Sequence, residues 1–200
     1  EEIMKKSRYI YGVLCIVMVA LLWGCGTKNG EDDTTGLPRK QETEKAQDTE
    51  EEAAGSGVVF EAQDMEGNGV SQDVFSKSRL TMVNVWATYC NPCLKEMPSL
   101  GELAGEYDGA DFQLIGVVSD VMEGQEGEAL GQAADLIEET GASYPHLLLN
   151  ESLYFGLLAD VTAVPTTFFI DQNGVVLDVV VGAMDKEAWK EKIDGLLENL

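Results

Sequence analysis

Residues 58–200 are predicted to form an α/β layer fold, on three observations. Strand-like and helix-like segments alternate along this stretch, the pattern of a sheet covered by helices. Two continuous apolar runs rich in branched residues, 80–86 and 112–118, read as strands buried on both faces. Near the C-terminus, Asp171-Gln172-Asn173-Gly174 separates two further strand-like runs, and its Asn-Gly step is a strong hairpin signal.

The elements follow in order. Residues 58–63 and the Gly67-Asn68-Gly69 turn predict a short N-terminal hairpin. Leu80-Thr81-Met82-Val83-Asn84-Val85-Trp86 is the central strand. A helix is expected from near Cys93 to about Tyr107, with Pro98 kinking it. The strand 112–118 follows, then a helix over 129–140 stopped by Gly141. Residues 146–149 read as a short strand and 153–158 as a short helix. Residues 166–170 and 175–181 form the C-terminal hairpin. Asp185 is placed to N-cap a last helix to about Asn199, with Trp189, Ile193, Leu196 and Leu197 on its apolar side. No internal repeat is visible.

The first 57 residues have a different character, giving three segments: 1–24, 25–57 and 58–200. Met4 is followed by Lys5, Lys6 and Arg8 and then by an apolar run over 9–22, the basic and hydrophobic parts of a secretion signal. Translation is expected to start at Met4. The run is short for a membrane span, which needs roughly twenty apolar residues. It ends Leu21-Leu22-Trp23-Gly24-Cys25-Gly26, which resembles the bacterial lipobox, in which a small residue precedes the cysteine that is lipidated. Trp23 departs from that pattern. The competing reading is an uncleaved anchor with an incidental cysteine. Both put most of the chain outside the cytoplasm at a bacterial cell membrane. Cys15, within the apolar run, reads as a small apolar residue. From Gly26 to about Gly57 acidic residues dominate and Leu37 is nearly the only large apolar one, so this stretch is expected to be a disordered tether. As a coil it would span about 30 Å.

The 200-residue chain carries 13 basic and 36 acidic residues, a formal charge of −23. Nucleic-acid binding needs the opposite sign and is excluded as a primary function. An acidic body is repelled by anionic lipid and should stand off the surface. The only histidine is His146, which rules out multi-histidine metal sites and is expected at a strand start instead of in catalysis. The glycine loops lack a phosphate-binding pattern, so neither a nucleotide nor any other cofactor is called for.

The chemistry-bearing residues are Cys90-Asn91-Pro92-Cys93, directly after the central strand. Two thiols three apart at a helix start can close a small disulfide ring with little motion. The unpaired N–H groups and positive dipole end of the helix stabilise a thiolate and lower the pKa of the first cysteine. Cys90, the outer residue, is therefore expected to attack, and Cys93, one turn in, to resolve the mixed disulfide. Pro92 fits the first helical turn without losing a hydrogen bond. Other readings stand beside this one. A zinc site would want two more ligands, and outside the leader only His146 is available. A purely structural disulfide suits an oxidising compartment, though so tight a ring constrains the unfolded chain little.

Trp86-Ala87-Thr88-Tyr89-Cys90-Asn91-Pro92-Cys93-Leu94-Lys95-Glu96-Met97-Pro98, with Val164-Pro165-Thr166 further on, resembles the active-site segments of the thioredoxin superfamily. The nearest branch is that of the membrane-tethered ResA/TlpA-like thiol-disulfide oxidoreductases. The likeness covers 58–200. It implies a thioredoxin-like fold, with a central mixed sheet flanked by helices and an N-terminal hairpin as an extension. It also implies a redox-active Cys90–Cys93 disulfide and exchange with client proteins. Thioredoxins carry a buried Asp two residues before the active-site Trp, and here that position is Asn84. ResA-like proteins use a Glu three residues after the second cysteine, here Glu96, one helical turn on, where it could relay a proton to and from Cys93. Water at a solvent-accessible site would be a partial substitute for it; the alternative is an ordinary solvated glutamate. The family holds the Val164-Pro165 bond cis against the cysteines, with the backbone before it free to pair with a substrate strand. Trp86 is expected beside the disulfide, and Tyr89, replacing the more usual Trp, at the substrate contact.

The resemblance implies an extracytoplasmic reductant drawing electrons from a polytopic membrane protein that passes thiols across the bilayer. Its clients would be oxidised apocytochromes or an extracellular methionine sulfoxide reductase. A peroxiredoxin-like peroxidase shares the fold. It is weakened by Ala87, which stands where that family has a Thr, and by a resolving cysteine only three residues away. A non-catalytic lipoprotein module with a structural disulfide is the third reading, and reactivity of Cys90 separates it from the others.

Overall fold

The computed structural model describes residues 57–200. The N-terminal hairpin pairs β1 (Glu61–Gln63) with β2 (Gly69–Ser71), antiparallel. A 3-10 stretch, Gln72–Lys77, leads to β3 (Leu80–Trp86) and α1 (Asn91–Ala104). Then come β4 (Phe112–Met122), α2 (Glu128–Thr140) and β5 (His146–Leu149). A single α-helical turn, α3 (Glu151–Leu153), runs on as a π-helix over Tyr154–Leu158. β6 (Thr166–Asp171), β7 (Val176–Val181) and α4 (Lys186–Leu197) complete the domain.

The five-stranded sheet has the order β5-β4-β3-β6-β7. β3, β4 and β5 run parallel, whereas β6 and β7 are antiparallel to their neighbours, so the sheet is mixed. β3 is central and buried at all seven positions, as its unbroken apolar run requires. Strand alternation sorts its side chains. Leu80, Met82 and Trp86 join the cluster that takes in Met97, Leu100, Trp189 and Ile193 from α1 and α4. Val83 and Val85 join the opposite cluster with Phe60, Phe75, Leu153 and Leu158. Asn84, even-numbered like Trp86, therefore belongs to the helix-covered face, and this parity later decides its role.

Several boundaries differ from expectation. α1 starts at Asn91 because Cys90 itself is the N-cap, its Sγ accepting from the Cys93 N–H at 3.3 Å. It ends at Ala104, three residues early, and passes through Pro98 without a break. β4 runs four residues past Val118, through the polar Ser119 and Asp120. The apolar run stops there, yet the strand continues, with Ser119 bonded to the last residue of β3 and Asp120 to Thr88 in the loop beyond it. α2 starts at Glu128 and ends as expected, with Gly141 in the left-handed conformation. The turn expected over 153–158 begins at Glu151, where the Asn150 side chain accepts from the Leu153 N–H. α4 is N-capped by Asp185 as expected and ends at Leu197. The C-terminal hairpin turns at Gly174, whose φ of 81° suits glycine. Among the described residues no helix is long and apolar enough to cross a membrane. The signal, the tether and Cys25 lie outside the described residues.

Candidate active site

The end of β3 and the loop after it are tied down by several hydrogen bonds. The Trp86 carbonyl accepts from Ser119 Oγ at 2.9 Å. Thr88 donates its N–H at 3.1 Å and its Oγ1 at 2.6 Å to the Asp120 carboxylate, and the Cys90 N–H reaches the Ala87 carbonyl at 2.9 Å. This clamp delivers Cys90 to the N-cap of α1. Cys90 and Cys93 are joined as a disulfide with Cα atoms 5.3 Å apart. Both sulfur-bearing residues are nearly covered, Cys93 fully and Cys90 to all but 5%. Asn91 and Pro92 between them are exposed. Cys90 thus retains the only opening of the pair, as an attacking thiol needs.

Trp86 lies fully buried in the cluster that contains both cysteines. Its Nε1–H donates to His146 Nδ1 at 3.1 Å, while His146 Nε2 is 3.0 Å from the Ala142 carbonyl. A ring that accepts at Nδ1 and faces a carbonyl at Nε2 is the neutral, Nε2-protonated tautomer. Burial lowers the His146 pKa to about 4, with the Ala142 bond opposing. Gly116 makes this possible, since a Cβ there would collide with the imidazole. His146 starts β5, as expected, and is a packing residue.

The Val164-Pro165 peptide bond is cis, and Pro165 is buried at the start of β6. Val164 and the exposed Tyr89 line one cavity of 240 Å³, with Val85, Tyr154, Leu158 and Val161. The structure therefore brings together two of the residues expected at a substrate contact, whereas Trp86 and Pro165 do not line this cavity.

Glu96 is placed differently from its expectation. It is buried to 3% exposure, so water is no ready substitute for it. Its Oε1 accepts from Asn84 Nδ2 at 3.1 Å, and its Oε2 from the Met184 N–H at 3.2 Å and Trp189 Nε1 at 3.3 Å. Asn84 also donates to Thr167 Oγ1, its direct neighbour across β3 and β6. Burial raises the Glu96 pKa above the usual carboxylate range, and the three hydrogen bonds pull the other way. Sequence reasoning missed Asn84, Trp189 and Met184 as partners. The signal for Asn84 was strand parity with Trp86; Trp189 was visible only as an apolar helix position whose indole N–H would need an acceptor. Asp120 was missed because it lies beyond the apolar run. Among the described residues no three His, Cys, Asp or Glu stand together as a metal site.

Comparison with known proteins agrees with this geometry. The AhpC/TSA family model matches residues 56–179. The thiol-disulfide oxidoreductase ResA of Bacillus anthracis is 25% identical over 98% of this chain and 99% of its own length. The thioredoxin-like protein YneN of Bacillus subtilis is 32% identical over 60% of this chain, which spans 66% of that protein. Among solved structures, the exposed lipoprotein thioredoxin of Streptococcus pneumoniae strain TIGR4 superposes with a TM-score of 0.55 at 25% identity, covering 68% of this chain and 98% of that one. The chain belongs to the AhpC/TSA family as a thioredoxin-like member, and it is a thiol-disulfide oxidoreductase of the ResA type.

Proposed function

We propose that the chain is a membrane-anchored, extracytoplasmic reductase of client-protein disulfides, working through Cys90, Cys93 and Glu96. The observation that carries this is the Cys90–Cys93 pair at the start of α1 with a buried carboxylate one turn further along the same helix. In the reduced protein the Cys90 thiolate attacks one sulfur of a client disulfide, forming a mixed disulfide and releasing the other client sulfur as a thiolate. Glu96 takes the proton from Cys93, whose thiolate attacks Cys90 Sγ. The second client sulfur leaves and takes the proton held by Glu96, while the client thiolate released first is protonated by solvent, which holds the proton that Cys90 gave up. The client gains two electrons and two protons, and the protein is left with its internal disulfide. A membrane dithiol donor restores the reduced pair.

Tyr89 and Val164 are the client-contacting surface in this reading; Trp86 and Pro165, expected there too, are buried and support it from behind. The cavity shared by Tyr89 and Val164 supports an extended segment lying across them. Cys25 is the lipidated residue, 1–24 the cleaved signal and 25–57 the tether; the basic residues, apolar run and Gly24-Cys25 pattern support this, as does the pneumococcal neighbour being a lipoprotein. Oxidised apocytochromes or an extracellular methionine sulfoxide reductase are the clients. Trapping tests the reading. Cys93→Ser is expected to accumulate a mixed disulfide with client through Cys90, and Cys90→Ser far less. Greater alkylation of Cys93 than of Cys90 in the reduced protein would overturn the order of attack. Lipid-precursor labelling that survives Cys25→Ser would overturn the anchor.

The AhpC/TSA match favours one second reading, a peroxidase. Ala87, three residues before Cys90 where a peroxiredoxin has a threonine, weighs against it. Hydrogen peroxide turnover comparable to disulfide turnover would reverse the preference.

A further inference from the structure

The Glu96 carboxylate is gripped from two sides that are far apart in sequence. Asn84, on the central strand, bonds Oε1; the Met184 N–H and Trp189 indole, at the start of α4, both bond Oε2. Each carboxylate oxygen has two lone-pair sites. Oε2 is filled by two donors, whereas Oε1 has one, so the free site that can take up a proton is on Oε1. The geometry on α4 is unusual for an apolar helix position. The Trp189 ring packs against Phe169 with centroids 6.2 Å apart, yet its N–H is turned inward to a carboxylate and the residue is fully buried. A tryptophan used only for packing would gain as much area with its N–H at a wet edge. α4 is also held in register against α1, because Lys186 bridges Glu102 and Glu106 at 2.5 and 2.6 Å.

We infer that Trp189 is a positioning residue for the disulfide exchange, acting through Glu96: with the Met184 N–H it occupies Oε2, favours the carboxylate form and leaves Oε1 as the proton-carrying atom. This rests on the reading of Glu96 as the proton carrier for Cys93. It couples the seating of the C-terminal helix to the resolving step. The titratable groups facing Glu96 are few. From the loop before β5 comes Tyr144, whose phenol burial first, and the Glu96 charge second, push above its ordinary range. One turn back along α1 stands Cys93, with Cys90 at the helix N-cap. β3 and β6 contribute the uncharged Asn84 and Thr167.

The experiment is the pH profile of disulfide turnover by the full chain in four forms: wild type, Trp189→Phe, Glu96→Gln and the double variant. A hydrogen bond to a charged group is worth enough that losing it should move the acidic limb up by about one pH unit in Trp189→Phe. Glu96→Gln and the double variant should superimpose, because Trp189 has nothing left to act through. An unmoved limb in Trp189→Phe beside an altered one in Glu96→Gln overturns the inference and leaves the Glu96 reading standing. A Trp189→Phe shift that persists in the Glu96→Gln background overturns it too, assigning Trp189 to packing. If Glu96→Gln itself matches wild type, the Glu96 reading fails and this inference with it. Should Trp189→Phe fail to fold, benzothienylalanine at position 189 keeps the indole's shape without the N–H, and the same limb is read on that protein.

Discussion

Two buried titratable side chains lie against the cysteine-bearing cluster, and their surroundings are built in opposite ways. His146 has two partners, Trp86 Nε1 and the Ala142 carbonyl, and together they suit a neutral ring. Glu96 has three, and every one is a donor to an ionised carboxylate. Burial drives both groups towards neutrality, lowering the pKa of His146 and raising that of Glu96. For His146 the Trp86 N–H fills Nδ1 and so favours the neutral ring, with only the Ala142 carbonyl opposing; for Glu96 all three bonds resist neutrality. A group so balanced can gain and lose a proton at modest cost, whereas a buried ring whose accepting nitrogen is already filled by a donor has no ready site for a second proton. The hydrogen-bond partners distinguish the two surroundings where burial alone does not.

The largest expected effect tests whether chemistry runs on the Glu96 side at all. Cys90→Ser should abolish turnover of a small disulfide, with unfolding by denaturant showing that the fold survives. Retained turnover would detach Glu96 from any reaction. Next comes Glu96→Gln. General acid-base help is typically worth ~10²–10⁴-fold, and with the site buried no water stands in for the carboxylate. The variant should therefore slow turnover at least ~10²-fold. It should also lower at least one active-site thiol pKa by removing a nearby negative charge, read from alkylation rate against pH. Unchanged rate and unchanged pKa would put Glu96 in the same class as His146.

The two groups should also tilt stability in opposite directions. The folded state holds His146 neutral down to about pH 4 from an ordinary value of 6.5. Across that window the unfolded chain binds the extra proton, so stability falls as pH falls, by on the order of 3 kcal/mol at the acidic end. Glu96 has a folded pKa above 4.5, so its contribution is present below that value and is lost as pH rises through the folded pKa. Denaturant unfolding from pH 7 to 4 should show a steeper acid loss in Glu96→Gln than in wild type, because the opposing titration is gone. Parallel curves would mean that Glu96 does not take up a proton on folding.

Much of this was legible in the sequence, for reasons that differ by region. The central strand, the C-terminal hairpin and the last helix announce themselves through local pattern: an apolar run, an Asn-Gly turn, an Asp N-cap. Cys90 and Cys93 were legible because their chemistry depends on spacing and on a helix start, both local. The cis Val164-Pro165 bond was expected from family likeness alone, since X-Pro spacing does not choose the isomer. The Glu96 ring was not legible, because Asn84, Met184 and Trp189 come from segments up to 93 residues away. Their meeting is a tertiary fact, and Trp189 was masked by its membership of an apolar stripe. The solvent-accessible setting expected for Glu96 erred for the same reason: helix spacing sets the face a residue is on and says nothing about what later covers it.

The smallest expected effect concerns a third polar group, which is less buried than Glu96 or His146. Asp120 is half-buried beyond the apolar part of β4, and it accepts from both the N–H and the Oγ1 of Thr88. Its partners are donors, as for Glu96, but they belong to the loop that carries Cys90. Its bonds to Thr88 give it the work of holding the loop. Thr88→Val removes the Oγ1–H donor and keeps the backbone bond and nearly the same volume. Partial exposure discounts a charge-assisted bond, so the cost should be about 1 kcal/mol in denaturant unfolding. Turnover should fall by only a few-fold, with the pH profile keeping its wild-type limbs. A displaced acidic limb in Thr88→Val would show Asp120 coupled to the thiol chemistry, and the division between groups that carry protons and groups that hold structure would then have to be redrawn around the loop.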